Sequence, residues 1–372
     1  MNKIEPLNLA QIRVHPLEQR RSLTRVEDIL IPAQAEPLAI SASQRAAVTV
    51  CAQALRRARE RGSSVILMYG AHLLRNGATL ILNEMMQRGW LTHIATNGAG
   101  SIHDWEYSWL GRSTESVEEN VAAGTFGTWE ETGRNIHLAL LAGGPRGEGY
   151  GTALGRFIVE NGTNLPPVRE LETAIRNQPA DALTPARADL LHAMREHNLA
   201  NGRIDVTHRW QHASILASAF KHHVAATVHP GIGYDIIACH PMFNGAVIGR
   251  AAELDFKLFA GAVENLDGGV VLSVGSAIMA PQVFEKSLSC VHNIRFQHGR
   301  PPVRDFDIFV VDLQDGGNWD WSQGEPPKDS PAYYLRFCKS FSRMGGAMRY
   351  VQCDNVAFVH NLLHELQRIS AA

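Results

Sequence analysis

Hydrophobic and polar positions along the chain alternate between short apolar runs and longer segments with helical spacing. Residues 65–69 (VILMY) form a continuous apolar run, which is typical of a buried parallel strand. Residues 76–87 follow with helical spacing, and residues 91–96 give the next apolar run. A strand, a helix and a second strand within about 30 residues predict a βαβ unit.

The same alternation continues to the end of the chain. A helix is expected over residues 41–61, with Ser43 as its N-cap. Further strands are predicted at residues 225–228, 269–274, 307–311 and 348–352, before a closing helix at residues 357–366. Because strands alternate with helices, we predict a mainly parallel, Rossmann-like α/β sheet with helices on both faces. We expect one domain over residues 41–372, and a proline-punctuated N-terminal arm over residues 1–40.

Composition and charge exclude several classes of protein. The chain has 372 residues, 45% of them hydrophobic, and a formal net charge of −2. A nucleic-acid partner usually requires a strongly basic face, and a membrane span requires about 20 apolar residues in a row, so neither is expected. The N-terminal residues lack the apolar core of a signal peptide, and the five cysteines are scattered. We therefore expect a cytoplasmic protein with reduced thiols.

Candidate chemistry follows the strand ends, where ligands of α/β proteins gather. Residues 96–104 (TNGAGSIHD) combine two glycines, which allow close approach to the main chain, with two titratable residues. Glycines, other small residues or acids also follow the strand positions 228, 272 and 352. Asp312 or Asp354 is suited to holding ribose hydroxyls. These ends favour a nucleotide site, although GxGxxG is absent and ordinary tight turns would also explain the glycines.

Lys339 lies in an aromatic-rich stretch, residues 331–341. A lysine among aromatic side chains loses hydration, which would leave its amine free to attack a carbonyl or imine. The alternative is a surface lysine whose stem packs on Phe337. His229, Asp235 and His240 could be written as metal ligands, but no two of them share HxxxH or HxH spacing, so no metal site is predicted.

From about residue 65 to the C-terminus, the order of these motifs resembles the deoxyhypusine synthase family. Residues 65–106 are similar to the family's first βαβ unit and NAD turn, and residues 331–339 keep the proline-to-lysine spacing of its catalytic peptide. The resemblance implies NAD-dependent transfer of an aminobutyl group from spermidine through a lysine imine. It also implies active sites between paired subunits, in a tetramer that is a dimer of dimers.

The resemblance further implies a role for each matching residue. Lys339 would form the imine, and Asp235 would hold a substrate ammonium. We predict separately that His103 shuttles a proton, because the unperturbed pKa of histidine lies near neutrality. Asp104, Tyr333 and Phe337 would contact the substrate. The residues that would contact NAD are His72, Asn76, Thr96, Asn97, Gly98, Ala99, Gly275, Ser276, Asp312 and Asp354.

Several positions depart from the family pattern. The glutamate ahead of the lysine becomes Tyr333, one acidic residue of the NAD turn becomes His103, and the spermidine-binding histidine falls near Met279. The resemblance therefore supports the fold and NAD more than it supports spermidine. We predict an NAD-dependent aminoalkyl transferase acting on a polyamine or related amine, with a protein lysine or a free amine as acceptor. The alternatives are an NAD-using amine oxidoreductase or lyase without a protein acceptor, and a non-catalytic nucleotide-binding homologue.

Overall fold

The computed structural model describes residues 4–371, in which strands and helices alternate. The strands are β1 (Thr24–Arg25), β2 (Val65–Tyr69), β3 (His93–Asn97), β4 (Arg112–Ser113), β5 (Gly162–Leu165), β6 (Gly202–Asp205), β7 (Ala225–His229), β8 (Val270–Val274), β9 (Asp307–Asp312) and β10 (Ala347–Gln352). The helices are α1 (Val26–Ile29), α2 (Ala42–Glu60), α3 (Ala71–Arg75), α4 (Thr79–Gln87), α5 (Gly98–Leu110), α6 (Val117–Ala123), α7 (Glu130–Gly143), α8 (Tyr150–Val159), α9 (Val168–Asn177), α10 (Thr184–Glu196), α11 (Ile215–Lys221), α12 (Gly245–Glu264), α13 (Met279–Gln297), α14 (Arg336–Ser342) and α15 (Asn355–Ala371).

Six parallel strands form the central sheet, in the order β10-β9-β8-β2-β3-β7. The chain enters at β2, adds β3 and β7 on one side, and then crosses to add β8, β9 and β10 on the other. This is the 3-2-1-4-5-6 order of a doubly wound sheet, in which the order reverses between the first and fourth strands. The reversal lies between β2 and β8. All six strands end at one edge, which we call the carboxyl edge.

Successive residues of β2 enter two separate hydrophobic cores. Leu67 and Tyr69 pack in the core that includes α2, α4 and α15, whereas Ile66 and Met68 pack in the core that includes α13 and α14. Because both faces of the strand are covered, a continuous apolar sequence is required there. The predicted parallel sheet with helices on both faces is confirmed.

Two details of the predicted helices are wrong. The N-cap of α2 is Ser41, not Ser43: the Ser41 hydroxyl accepts from the Gln44 amide while the Gln44 side chain accepts from the Ser41 amide. The helix predicted over residues 76–87 is interrupted, and α4 begins only at Thr79. Gly77 causes the break because it has a positive φ of 86° and a Cβ there would lie 1.7 Å from the Ile29 carbonyl oxygen.

Parts of the predicted arm, which the structure describes from residue 4, pack against the rest of the chain. β1 pairs antiparallel with β4, and the Leu17 and Val26 side chains are buried. Arg20 is also buried, at 4% exposure, and it reaches α5. The arm therefore supplies a charged group to the interior.

Two kinds of feature are absent from residues 4–371. No group of three or more histidine, cysteine, aspartate or glutamate side chains is arranged to hold a metal ion. None of the helices there combines the length and the apolar character needed to cross a bilayer.

Candidate functional site

A cavity of about 240 Å³ opens at the carboxyl edge, beside the ends of β2, β3 and β7. It is lined by Arg20 from the arm, Arg75 from α3, Ala99, Ile102, His103 and Glu106 from α5, Thr114, Glu115, Val117 and Phe126 from the segment that follows, and Tyr234, Asp235 and Ile236 after β7. Three neighbouring strands thus lead into one cavity, at the edge where α/β proteins bind ligands.

Glu106 is a fully buried carboxylate at the base of this cavity, and four groups donate hydrogen bonds to it. Both Nη atoms of Arg20 donate, at 2.8 and 2.7 Å, Thr132 donates at 2.8 Å, and the Ser113 hydroxyl donates to Oε2. Burial alone would raise the pKa of Glu106, but the Arg20 guanidinium and the hydrogen bonds bring it below its usual range. Glu106 is therefore ionised and can only accept.

The hydrogen bonds of Ser113 fix the tautomer of His103. A serine hydroxyl carries one proton, and that of Ser113 is given to Glu106. Ser113 Oγ lies 2.7 Å from His103 Nδ1, so it must accept a proton from that nitrogen. Burial lowers the pKa of His103 to about 4, and the ring is neutral at pH 7. Nε2 is then the unprotonated nitrogen, available to accept from a ligand.

Asp235 is the second titratable group of the cavity that the sequence predicted. Its side chain is 5% exposed, and it accepts from the Gly231 amide at 2.8 Å. Burial raises the pKa of Asp235 to about 6, so most of it is ionised at pH 7. The carboxylate packs on Gly98, where a Cβ would lie between 1.9 and 2.4 Å from its atoms. Position 98 must therefore be glycine for the Asp235 side chain to keep this place.

The remaining residues predicted in the β3–α5 turn have structural partners. The Thr96 hydroxyl donates to the Tyr69 carbonyl oxygen at 3.0 Å, and the Asn97 side chain accepts from the Gly100 amide at 2.9 Å. Asp104 is fully buried and faces away from the cavity, because its carboxylate caps α11 by accepting from Ser214 and from the Ile215 amide. Of this predicted group, Ala99 and His103 line the cavity.

Other predicted cofactor residues lie along the carboxyl edge beyond the cavity. At the reversal of strand order, a Cβ on Gly70 would lie 2.5 Å from the Gly275 carbonyl oxygen, so the turns after β2 and β8 are in contact. Ser276 is buried beside them, and Asp312 ends β9. His72 on α3 and Asn76, the C-cap of α3, are exposed. The exposed Asp354 accepts from the Val356 and Ala357 amides at the start of α15.

Lys339 does not line the cavity. Its Nζ lies 2.6 Å from Glu325 Oε1 and 3.7 Å from the centroid of the Tyr333 ring. Phe337, on α14, is buried, and the aromatic surroundings expected from the sequence are present. The Lys339 ammonium is nevertheless ion-paired with Glu325. Glu325 is 14 residues before Lys339 in the sequence, and no motif links the two residues.

Several residues that line the cavity were not predicted from the sequence. Glu106 is three residues after His103, a spacing that puts two side chains on one helix face, and that signal was available. Arg20, Arg75 and Glu115 gave no such signal because the chain brings them to α5 only through its tertiary fold. Glu115 accepts from Trp129 Nε1 at 2.9 Å and lies 4.0 Å from Arg20.

Comparisons with known proteins give only a distant likeness of fold. No protein-family model and no curated protein matches the chain. Among solved structures, unliganded AgrE is 12% identical over 89% of this chain and 34% of its own, with a TM-score of 0.44. ArgZ, an arginine dihydrolase of the ornithine–ammonia cycle in cyanobacteria, is 12% identical over 87% of this chain and 33% of its own, with a TM-score of 0.40. A conserved LOR/SDH protein from Methanococcus maripaludis S2 is 14% identical over 91% of this chain and 74% of its own, with a TM-score of 0.42.

The chain spans about a third of the length of AgrE and ArgZ. AgrE is also known in a ternary complex with ornithine and NAD⁺. At these identities and TM-scores the likeness carries no argument about the activity of this chain. Deoxyhypusine synthase is not shown by these comparisons, and that resemblance stays a prediction.

Proposed function

We propose that the chain is an NAD-dependent enzyme that removes hydride from the carbon–nitrogen centre of a small amine. The observation that carries the proposal is the cavity at the carboxyl edge of the 3-2-1-4-5-6 sheet, which neutral His103 and ionised Asp235 both line. A carboxylate attracts an ammonium group, and an unprotonated imidazole nitrogen accepts a hydrogen bond from it.

Asp235 is the better proton acceptor of the two groups. An ammonium must lose one proton before its carbon can give up hydride, because only the free amine has the electron pair that forms the C=N bond. A base works best when its pKa is near the working pH, and the pKa of Asp235, about 6, is closer to neutral than the pKa of His103, about 4. Asp235 therefore takes the proton, and His103 Nε2 accepts a hydrogen bond that orients the nitrogen.

The carboxyl edge fits a dinucleotide at the reversal of strand order. Gly70 and Gly275 leave the turns after β2 and β8 without side chains, and the buried Ser276 follows directly. Asp312 ends β9 and Asp354 follows β10, and a carboxylate oxygen of each would accept from a ribose hydroxyl. NAD⁺ bound there supplies the hydride acceptor.

Lys339 belongs to a finer proposal, the transfer of the oxidised group to a second amine. In that step the lysine amine adds to the imine carbon and the original nitrogen leaves as an amine. The segment from β9 to α14, which carries Lys339 and Glu325, begins at the carboxyl edge. The ion pair between these two side chains must open before the lysine amine can react.

Stoichiometric NAD⁺ and a panel of small amines test both levels of the proposal. We expect reduced coenzyme to form with the wild type, and Lys339→Ala to retain this first step while losing transfer. Lys257→Ala is the matched control, because Lys257 is an exposed lysine that also pairs with a glutamate. Unchanged transfer in Lys339→Ala would remove the covalent step. Binding of NAD⁺ without consumption of any amine would favour the non-catalytic homologue and contradict the proposal.

A further inference from the structure

Most of the charges that line the cavity already have partners within the protein. Arg20 and Glu106 neutralise each other through two hydrogen bonds. Glu115 accepts from Trp129 and from Asn120, and Arg20 lies 4.0 Å from it. None of these three charges is free to pair with a ligand of its own.

Two charges of opposite sign remain. Among residues 4–371, the Asp235 carboxylate accepts only from the backbone amide of Gly231. The Arg75 guanidinium, at the end of α3, makes no hydrogen bond or ion pair with any of residues 4–371. Arg75 nevertheless lines the cavity, and its positive charge contributes to the lowered pKa of His103. The Asp235 carboxylate can therefore pair with a cation of the ligand, and the Arg75 guanidinium can pair with an anion.

From these two free charges we infer that the substrate is an amine that also carries a carboxylate, such as an amino acid. The inference rests on the proposed function and specifies its substrate class. The guanidinium fork matches a carboxylate with two parallel hydrogen bonds, while Asp235 takes the ammonium group.

Charge disfavours a polyamine in this cavity. A polyamine has only cationic groups, so one of them would lie beside Arg75, where like charges repel. An amino acid satisfies both free charges at once.

Matched pairs of ligands that differ only by the carboxylate test this inference. L-lysine is compared with cadaverine, and L-ornithine with putrescine, by calorimetric titration of the full chain saturated with NAD⁺. We expect the amino acid of each pair to bind at least about tenfold more tightly, as one charge-assisted contact provides. Arg75→Gln should remove this preference, so that the two members of a pair bind alike. Arg88→Gln, which changes an exposed arginine at the C-terminal end of α4, should keep the preference.

The outcomes separate this inference from the proposed function. Tighter binding of the diamines, or a preference that persists in Arg75→Gln, would overturn the inference while the proposed function stands. If no member of either pair binds or is oxidised, the proposed function fails, and the inference fails with it.

Discussion

Replacing Arg20 with methionine removes one half of a buried ion pair. The Arg20 and Glu106 side chains are each 1% exposed, and two hydrogen bonds of 2.8 and 2.7 Å join them. Methionine keeps much of the aliphatic stem but leaves the Glu106 carboxylate with only hydroxyl donors. Breaking a buried pair in this way costs about 3–5 kcal/mol, a large fraction of a typical stability of about 5–15 kcal/mol.

Equilibrium unfolding in denaturant measures this free energy. Arg21→Met is the matched control: Arg21 is the next residue, its side chain is 82% exposed, and its pair with Glu119 spans 3.7 Å. We expect the control to change stability by less than about 0.5 kcal/mol. The double variant with Glu106→Gln should be less destabilised than the sum of the single variants, because it no longer buries an unpaired charge.

Acid provides a second test of the same pair. The folded-state pKa of Glu106 is lowered, so the pair stabilises the protein above the unfolded-state pKa of about 4.5, and this contribution is lost as the pH falls through the folded-state pKa. The loss in free energy of unfolding caused by Arg20→Met should therefore be smaller at acidic pH. A loss of stability below about 1 kcal/mol at neutral pH, or strict additivity with Glu106→Gln, would show that Arg20 and Glu106 do not form a stabilising buried pair.

Three further predictions concern the cavity itself. Ser113→Ala removes the acceptor of the His103 Nδ1 proton, and nitrogen NMR should then detect both tautomers of the ring; an unchanged Nδ1–H tautomer would contradict the assigned hydrogen bonds. Amine affinity should fall about tenfold per pH unit below the pKa of Asp235, about 6, because protonation removes its charge, and calorimetry of Asp235→Asn should lack this dependence. Gly98→Ala should destabilise the protein by about 1–3 kcal/mol in denaturant unfolding through its clash with Asp235, whereas Gly261→Ala, with open space around it on α12, should not; equal effects would argue against the contact.

The sheet was predictable from the sequence because its strands are buried on both faces. Val65–Tyr69 was predicted with its observed bounds, since each of these five residues enters one of two cores and must be apolar. The interruption before α4 was not predictable, because Gly77 adopts its positive φ beside Ile29, a contact with the N-terminal arm that local spacing does not reveal.

The sequence predicted residues of the candidate site that follow the strand ends, but not those that tertiary packing brings there. His103 and Asp104 are adjacent in sequence and looked equivalent, yet the helix turns them to different sides, and Asp104 caps α11. Glu106 could have been found from its spacing on α5. Arg20, 86 residues before Glu106, reaches it through tertiary packing that no motif encodes.

The most direct test is a crystal structure of the full chain soaked with NAD⁺ and L-lysine. The amine nitrogen should lie within hydrogen-bond distance of an Asp235 oxygen and of His103 Nε2, with the coenzyme along the turns that contain Gly70 and Gly275. Coenzyme bound away from the carboxyl edge, or a cavity that holds only water at saturating amine, would contradict the proposed site.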